Sequence, residues 1–391
     1  MPDVKGKEDL NLEEFVFDGE EGVEIDDLRQ IDEKDRENLL MAGIDVEERQ
    51  RSASFLHVDH KKALCKSCEK GVEVLDIKDA LKKYNGLKDY YWKLVDPSKD
   101  EYTESVYKKL HGGYFIKTEK GAKIQNPVQS CLFIKRENVG QNVHNLIIVE
   151  EDSELHIITG CSVAHDVKAA LHLGISEIFV KKGGKLTFTM IHNWGSNVHV
   201  RPRSVYTIEE GGVLVNNYIL LKPVKSVQLY PTIYLNGKGA IATSSSIIVA
   251  PPGSYINAGT KMVLNAPNTK AEIISRTITT GGTIVAPGYI QGNAVPAKGH
   301  LECKGLILKD GIIHAIPELE GTISGVELSH EAAVGKVAQE EIEYLMARGL
   351  DEDEATSTIV RGFLNVDILG LPPELKQTID KTIEEAGEDM F

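Results

Sequence analysis

From about residue 114 to 325 the chain shows one texture: short runs of alternating apolar residues, broken by glycine, with no helical pattern between them. "SEIFVKKGGKLTFTMIHNWG", "VYTIEEGGVLVNNYILL", "TIYLNGKGAIATSSSIIV" and "AEIISRTITTGGTIV" are typical. Gly183, Gly211, Gly237, Gly259 and Gly281 recur at a loose spacing of roughly 25 residues, inside the range of repeat architectures. A β-sandwich turns every ~8–12 residues and closes within ~100. A loose period of this length, sustained from 114 to 325, instead fits one coil of a solenoid, in which each repeat buries its apolar face against the next. The expected class is mainly β, a right-handed parallel β-helix flanked by helical regions.

The flanks differ from the core. Residues 1–30 carry eleven acids and three bases and read as a poorly ordered acidic leader. Residues 31–112 hold broken helical patterns with acidic starts, "DIKDALKKYNGLKDYYWKLV" among them, and read as a mostly helical region. The β-helix core is assigned to 113–325 and a C-terminal helical region to 326–391. In the latter, "AAVGKVAQEEIEYLMARG" has apolar residues at helical spacing and Gly349 as its stop, and Pro372–Pro373 opens a further helix before an acidic tail. Ser329 and Glu331 in "LSHEA" suit a helix start.

The net charge of −15 lies at the two ends, leaving a near-neutral middle. A nucleic-acid-binding protein would show a basic face instead. No apolar run approaches the ~18 residues of a membrane span, and the N-terminus is acidic, so neither a span nor a secretory signal is expected. Five cysteines do not make a disulfide framework and fit a reducing cytoplasm.

Strand parity sorts the reactive residues. His192 and Trp194 share a face with Leu186, Phe188 and Met190; Cys161 shares one with Leu155 and Ile157; Cys303 lies with Leu301, opposite His300, Glu302 and Lys304. His192, Cys161 and Cys303 thus point inward, where a cysteine or histidine is most often plain core. His57, His60, Cys65 and Cys68 in "HVDHKKALCKSC" offer zinc-type ligands, but at intervals too short for a typical finger, so exposed reactive residues are the favoured reading there. No phosphate-binding G-x-x-x-x-G-K-[ST] loop, nucleophile elbow or dinucleotide fingerprint is present.

"RSASFLHVDH", "LKDYYWKLVDPSKDEYT", "HGGYFIK", "NPVQSCLFIK", "LIIVEEDSELHIITGC", "IHNWG" and "ELSHEAAVGKVAQEEIEYLMARGLDEDEAT" together resemble the SufB/SufD family, in its archaeal form. The resemblance covers nearly everything after residue ~40. It implies a scaffold for iron–sulfur cluster assembly rather than a turnover enzyme. It also implies a SufC-type ABC ATPase held on the C-terminal helices, pairing of two family members through their β-helices, and delivery to recipient apoproteins. Residue by residue, Cys161 matches the family's sulfur-accepting cysteine. His192 and Trp194 fall on its internal sulfur route, although the bacterial form carries glutamine where this chain has His192. Cys303 and Glu331 match SufB residues at the assembly site, and His330 matches the histidine that SufD proteins carry there. "SHEA" thus joins both ligand types in one chain, as a homodimer would need. The expected cargo is a [4Fe–4S] cluster shared at a dimer interface by Cys303, Glu331 and His330. A β-helix enzyme such as a polysaccharide lyase, and a structural subunit holding no cluster, are the alternatives.

Overall fold

A computed structural model describes residues 10–19 and 24–364. Its centre is a parallel β-solenoid of about eight turns. One wall stacks Val128–Ile134, Glu154–Val163, Lys185–Asn193, Val213–Leu220, Ile241–Ala250, Thr269–Thr279, Ala297–Ile307 and Glu327–Gly335, each strand parallel to the next. The opposite wall is a second parallel sheet that begins at Tyr114–Thr118 and ends at Ile312–Gly321. Apolar side chains from both walls meet in one continuous core that runs the length of the solenoid.

The repeat is longer and more regular than the glycine spacing suggests. Ser130, Thr159, Met190, Tyr218, Ser246, Ser275 and Cys303 are successive register partners along the first wall, one per coil of roughly 30 residues. One corner of the coil needs a left-handed backbone. It is occupied in turn by Gly121, Asp152, Gly183, Gly211, Gly239 and Asn268, all with φ between 54° and 74°. Each of these donates its N–H to the corner of the next coil. Glycine, asparagine and aspartate are the residues that adopt this conformation at least cost. Gly237 and Gly259 lie elsewhere on the coil, where a side chain would strike backbone atoms of a neighbouring turn. Mixing the two kinds of glycine shortens the apparent period.

Three expectations about the flanks need correction. The described part of the acidic leader is a packed strap: Val16 pairs with Val139, and Leu10, Leu12, Phe15 and Phe17 lie against the solenoid. Its apolar residues, diluted by acids, supply the seat. The 31–112 region contains helices α1 (Glu33–Met41), α2 (Ile77–Lys83) and α3 (Glu101–Lys108), but also an antiparallel hairpin, Ala53–Val58 with Lys61–Ser67, and the strand Val72–Asp76. These strands extend both walls and close the N-terminal end of the solenoid. Finally, "ELSHEAAVG" is a strand and not a helix start. Its backbone finds a ladder on Ala297–Ile307, and Ser329 bonds His300 Nδ1 at 2.9 Å instead of capping a helix. A waiting sheet edge outweighs a local cap signal.

Helix α4 (Gln339–Met346) and helix α5 (Glu352–Leu364) follow. Asp351 and Glu354 exchange backbone-to-carboxylate bonds at the start of α5, a reciprocal cap. Val360 and Leu364 of α5 are buried on an apolar stripe on the outside of the first wall, formed by Ile191, Ile219, Ile247 and Ile278. The helix expected after Pro372–Pro373 lies outside the described residues.

The N-terminal closure holds a cluster of buried histidines. His60 and His111 stand 3.9 Å apart between ring centroids. His111 Nε2 donates to Phe17 O and its Nδ1 accepts from Asn142 N–H, while His60 Nε2 donates to Gly140 O. Burial, with mutual repulsion, pushes His57 and His111 down to about 3, and burial also lowers His60. A base whose folded pKa is depressed adds stability above its unfolded value near 6.5, and that stability is lost as pH falls toward 3. The unfolding free energy from urea titration should therefore drop below about pH 6.5, by up to ~1.4 kcal/mol per pH unit for each of His57 and His111. His57→Leu, which removes one titrating ring, should flatten the slope; an unchanged slope in that variant would exclude His57 as a contributor.

Candidate functional site

Cys161 and His192 are direct register partners in adjacent coils, both on the inner face. They are 1% and 2% exposed. Burial alone holds the Cys161 thiol far above its ordinary pKa and, with His172 nearby, holds His192 well below its own, so both are neutral. Trp194 stands edge-on to His192 at 5.5 Å. His192 Nδ1 lies 3.1 Å from the Tyr218 hydroxyl. The acceptor cysteine and both route residues inferred from sequence are thus brought together.

Tyr218 opens the second half of the ladder. In register it is followed by Ser246, Ser275 and Cys303, all on the inner face. Ser246 Oγ donates to Ser275 Oγ at 3.3 Å. A cavity of about 30 Å³ lies beside this row, bounded by Met190, Asn216, Tyr218, Ser244 and Ser246 among others. Polar groups inside an apolar solenoid are costly unless paired, so a row of hydroxyls in three successive coils, from Tyr218 beside His192 to Ser275 next to the Cys303 coil, is not ordinary filling. Sequence reading missed Tyr218, Ser246 and Ser275, because serine and tyrosine carry no motif. Their even recurrence, one per coil up to Cys303, was the available signal.

At the far end the expected ligands divide. Leu301 pairs with His330, Glu302 with Glu331, and Cys303 with Ala332. His330 therefore shares the inner face with Cys303 as a diagonal neighbour, while Glu331 stands on the outer face. Its carboxylate is 3.2 Å from Lys304 Nζ, which also reaches Glu302 at 3.0 Å; Glu302 in turn pairs with Arg276. Burial pushes the Cys303 thiol up to about 11, partly offset by Arg276. Beyond this coil the solenoid has no further turn among the described residues. Inner positions Ile313, Ala315 and Leu328 are half-buried, His330 and Ala332 are exposed, and Val334 is 42% exposed.

Among the described residues no three histidine, cysteine, aspartate or glutamate side chains converge as a metal site. That includes His57, His60, Cys65 and Cys68. The histidines are buried in the N-terminal closure rather than exposed, Cys65 donates to Val74 O, and Cys68 faces solvent. The hairpin turn at Asp59 falls between His57 and His60, whereas Cys65 lies along the return strand opposite Phe55 and Cys68 follows its end.

The family described as "SUF system FeS cluster assembly, SufBD core domain" matches residues 132–363. The chain belongs to the SufB/SufD family. An "Iron-sulfur cluster assembly SufBD family protein" of Archaeoglobus fulgidus is 50% identical over 358 residues, covering 91% of this chain and 96% of that one. A SufBD family protein of Methanothermobacter thermautotrophicus is 44% identical over 389 residues, 96% of this chain and 95% of its own. The "Iron-sulfur cluster assembly protein SufB" of Bacillus subtilis is 33% identical over 321 residues, 80% of this chain and 68% of that one. Membership places the chain in iron–sulfur cluster assembly and displaces the lyase alternative. No helix among the described residues is long and apolar enough to cross a membrane.

The burial pattern orders the thiols. In native protein an alkylating agent should modify Cys68 first, then the half-buried Cys65, then Cys303, with Cys131 and Cys161 last. Peptide mass mapping over time checks the order; early labelling of Cys161 would contradict a closed inner site.

Proposed function

We propose that this chain is a scaffold that accepts sulfur at Cys161, passes it along the solenoid interior, and assembles an iron–sulfur cluster at the open C-terminal end. The observation that carries the reading is the inner-face ladder: Cys161 and His192 in register, Tyr218 bonded to His192, then Ser246, Ser275 and Cys303 in successive coils. Cysteine thiolate is the soft ligand that iron and sulfide favour. A [4Fe–4S] cargo takes about four protein ligands, and one chain offers Cys303 and His330 on a common face. Two copies meeting at their open ends would supply four, since a two-fold axis repeats every contact. Glu331, on the outer face, joins only if Lys304 releases it.

The partner proposed for the C-terminal helices is a SufC-type ABC ATPase, which would bring the nucleotide chemistry this chain lacks. Helix α4 presents Tyr344 and Met346, 58% and 41% exposed, beside Glu340, Glu341 and Glu343. Aromatic and methionine side chains in an otherwise charged surface are typical interface anchors. The assembled cluster would then pass to recipient apoproteins in the cytoplasm.

Anaerobic reconstitution tests the shared site. One cluster per two chains is expected; Cys303→Ser should abolish the visible cluster absorption while leaving the dimer, and His330→Ala should cost more retention than Glu331→Ala. One independently held cluster per chain would contradict the shared site. For the ATPase, Tyr344→Asp should weaken co-purification by about 2 kcal/mol or more, some thirtyfold. This substitution is preferable to deleting the helices, because α5 covers an apolar stripe that deletion would expose.

A further inference from the structure

His192 Nε2 and Trp194 Nε1 have no hydrogen-bond partner among the described residues, although both side chains are at least nine-tenths buried. An unpaired donor in such a place costs about 1–3 kcal/mol. Two of them side by side, on the face that carries Cys161, need a reason. The Tyr218 hydroxyl supplies part of it. Among the described residues His192 is its one recorded partner, at 3.1 Å from Nδ1. A phenol proton with no other acceptor is donated to Nδ1. The neutral imidazole then carries its own proton on Nε2, and Nε2 becomes a donor like the indole N–H.

We infer that the His192 and Trp194 N–H groups form a cradle for the terminal sulfur of a Cys161 persulfide in its anionic form, and that Tyr218 is the positioning residue that fixes the His192 tautomer. The inference rests on the sulfur-accepting reading of Cys161. It adds the chemical state of the bound sulfur and a residue that reading does not need. The step is a transfer of sulfane sulfur without net redox change. The Cys161 sulfur forms an S–S bond to the terminal sulfur of an incoming persulfide anion, whose carbon-bound sulfur leaves and takes the thiol proton: Cys161–SH plus R–S–S⁻ gives Cys161–S–S⁻ plus R–SH. The negative charge thus moves from the carrier into the solenoid. There it would be insupportable without donors, for a buried unpaired anion is far costlier than a buried unpaired amide. Two charge-assisted hydrogen bonds from preorganised N–H groups meet that requirement. The same arrangement explains how a site that keeps a thiol protonated can still hold an anion: the thiol has no donor aimed at its own sulfur in the recorded bonds, whereas the sulfur one bond further out would have two.

The test loads the full chain anaerobically with inorganic polysulfide. After the donor is removed, samples are quenched into denaturant with alkylating agent, and the extra sulfur on the Cys161 peptide is followed by mass spectrometry. In wild type the sulfur should persist. Tyr218→Phe and Trp194→Phe should each shorten its half-life by about tenfold, the loss of one hydrogen bond to a charged group. His192→Leu should do the same, while His192→Gln, which keeps an N–H donor, should retain most of it. Across neutral pH the half-life profile should move to higher pH in Tyr218→Phe, because an anion lacking a donor is protonated sooner; a merely structural role would not move it. Thermal midpoints, measured alongside, separate cradle loss from loosening. Equal half-lives in wild type, Tyr218→Phe and Trp194→Phe would overturn the cradle and leave sulfur acceptance standing. Absence of sulfur on wild-type Cys161 would overturn both.

Discussion

Everything in this molecule depends on the in-register parallel ladder of the first wall. Because each coil repeats the last, residues far apart in sequence are set side by side on one face. The ladder makes Cys161 a neighbour of His192, and aligns Tyr218 with Ser246, Ser275 and Cys303. A slip of one residue in any coil would turn that coil's inner set outward. The left-handed corner occupied by glycine, aspartate or asparagine in six successive coils guards against this, since each corner bonds the next.

The two ends of the solenoid are treated differently, and function follows the difference. The N-terminal end is closed by a hairpin, three short helices and a strap, with the Glu177 carboxylate accepting from the backbone N–H groups of Trp92, Leu94 and Val95 and pairing with buried His144. The C-terminal end leaves half-buried inner residues and His330 at its rim. Solenoids need their terminal repeats covered, and the second copy proposed above would both cover this end and complete a ligand set around Cys303. Helix α5, meanwhile, ties the proposed partner-docking segment to the outer wall directly behind the ladder, at Ile191 and Ile219. Movement of that segment would be felt by the strands that carry His192 and Tyr218.

The solenoid was legible in the sequence because a repeated apolar face leaves a repeated pattern. Its inner positions were legible because strand parity has a fixed period of two; Cys161, His192, Trp194 and Cys303 all lie where parity puts them. What parity cannot supply is register between coils. That is why Tyr218, Ser246 and Ser275 show in the sequence only as an even recurrence and not as a motif, and why His330 and Glu331, adjacent in sequence, read as one site although a strand sends them to opposite faces. "LSHEA" misleads because a cap signal is worth at most ~1–2 kcal/mol, less than a whole strand of backbone bonds to a waiting edge. The acidic leader misleads for the reverse reason: composition averages over residues, and four apolar side chains suffice to seat a strap.

The central claim is that sulfur received at Cys161 reaches Cys303 through the interior. The most direct measurement supplies radiolabelled sulfur from a persulfide donor to iron-free chain, with free sulfide scavenged, and locates the label by peptide. The account predicts label on Cys161 first and on Cys303 afterwards, and none on Cys303 in Cys161→Ser. Label arriving at Cys303 at the wild-type rate in Cys161→Ser would contradict it.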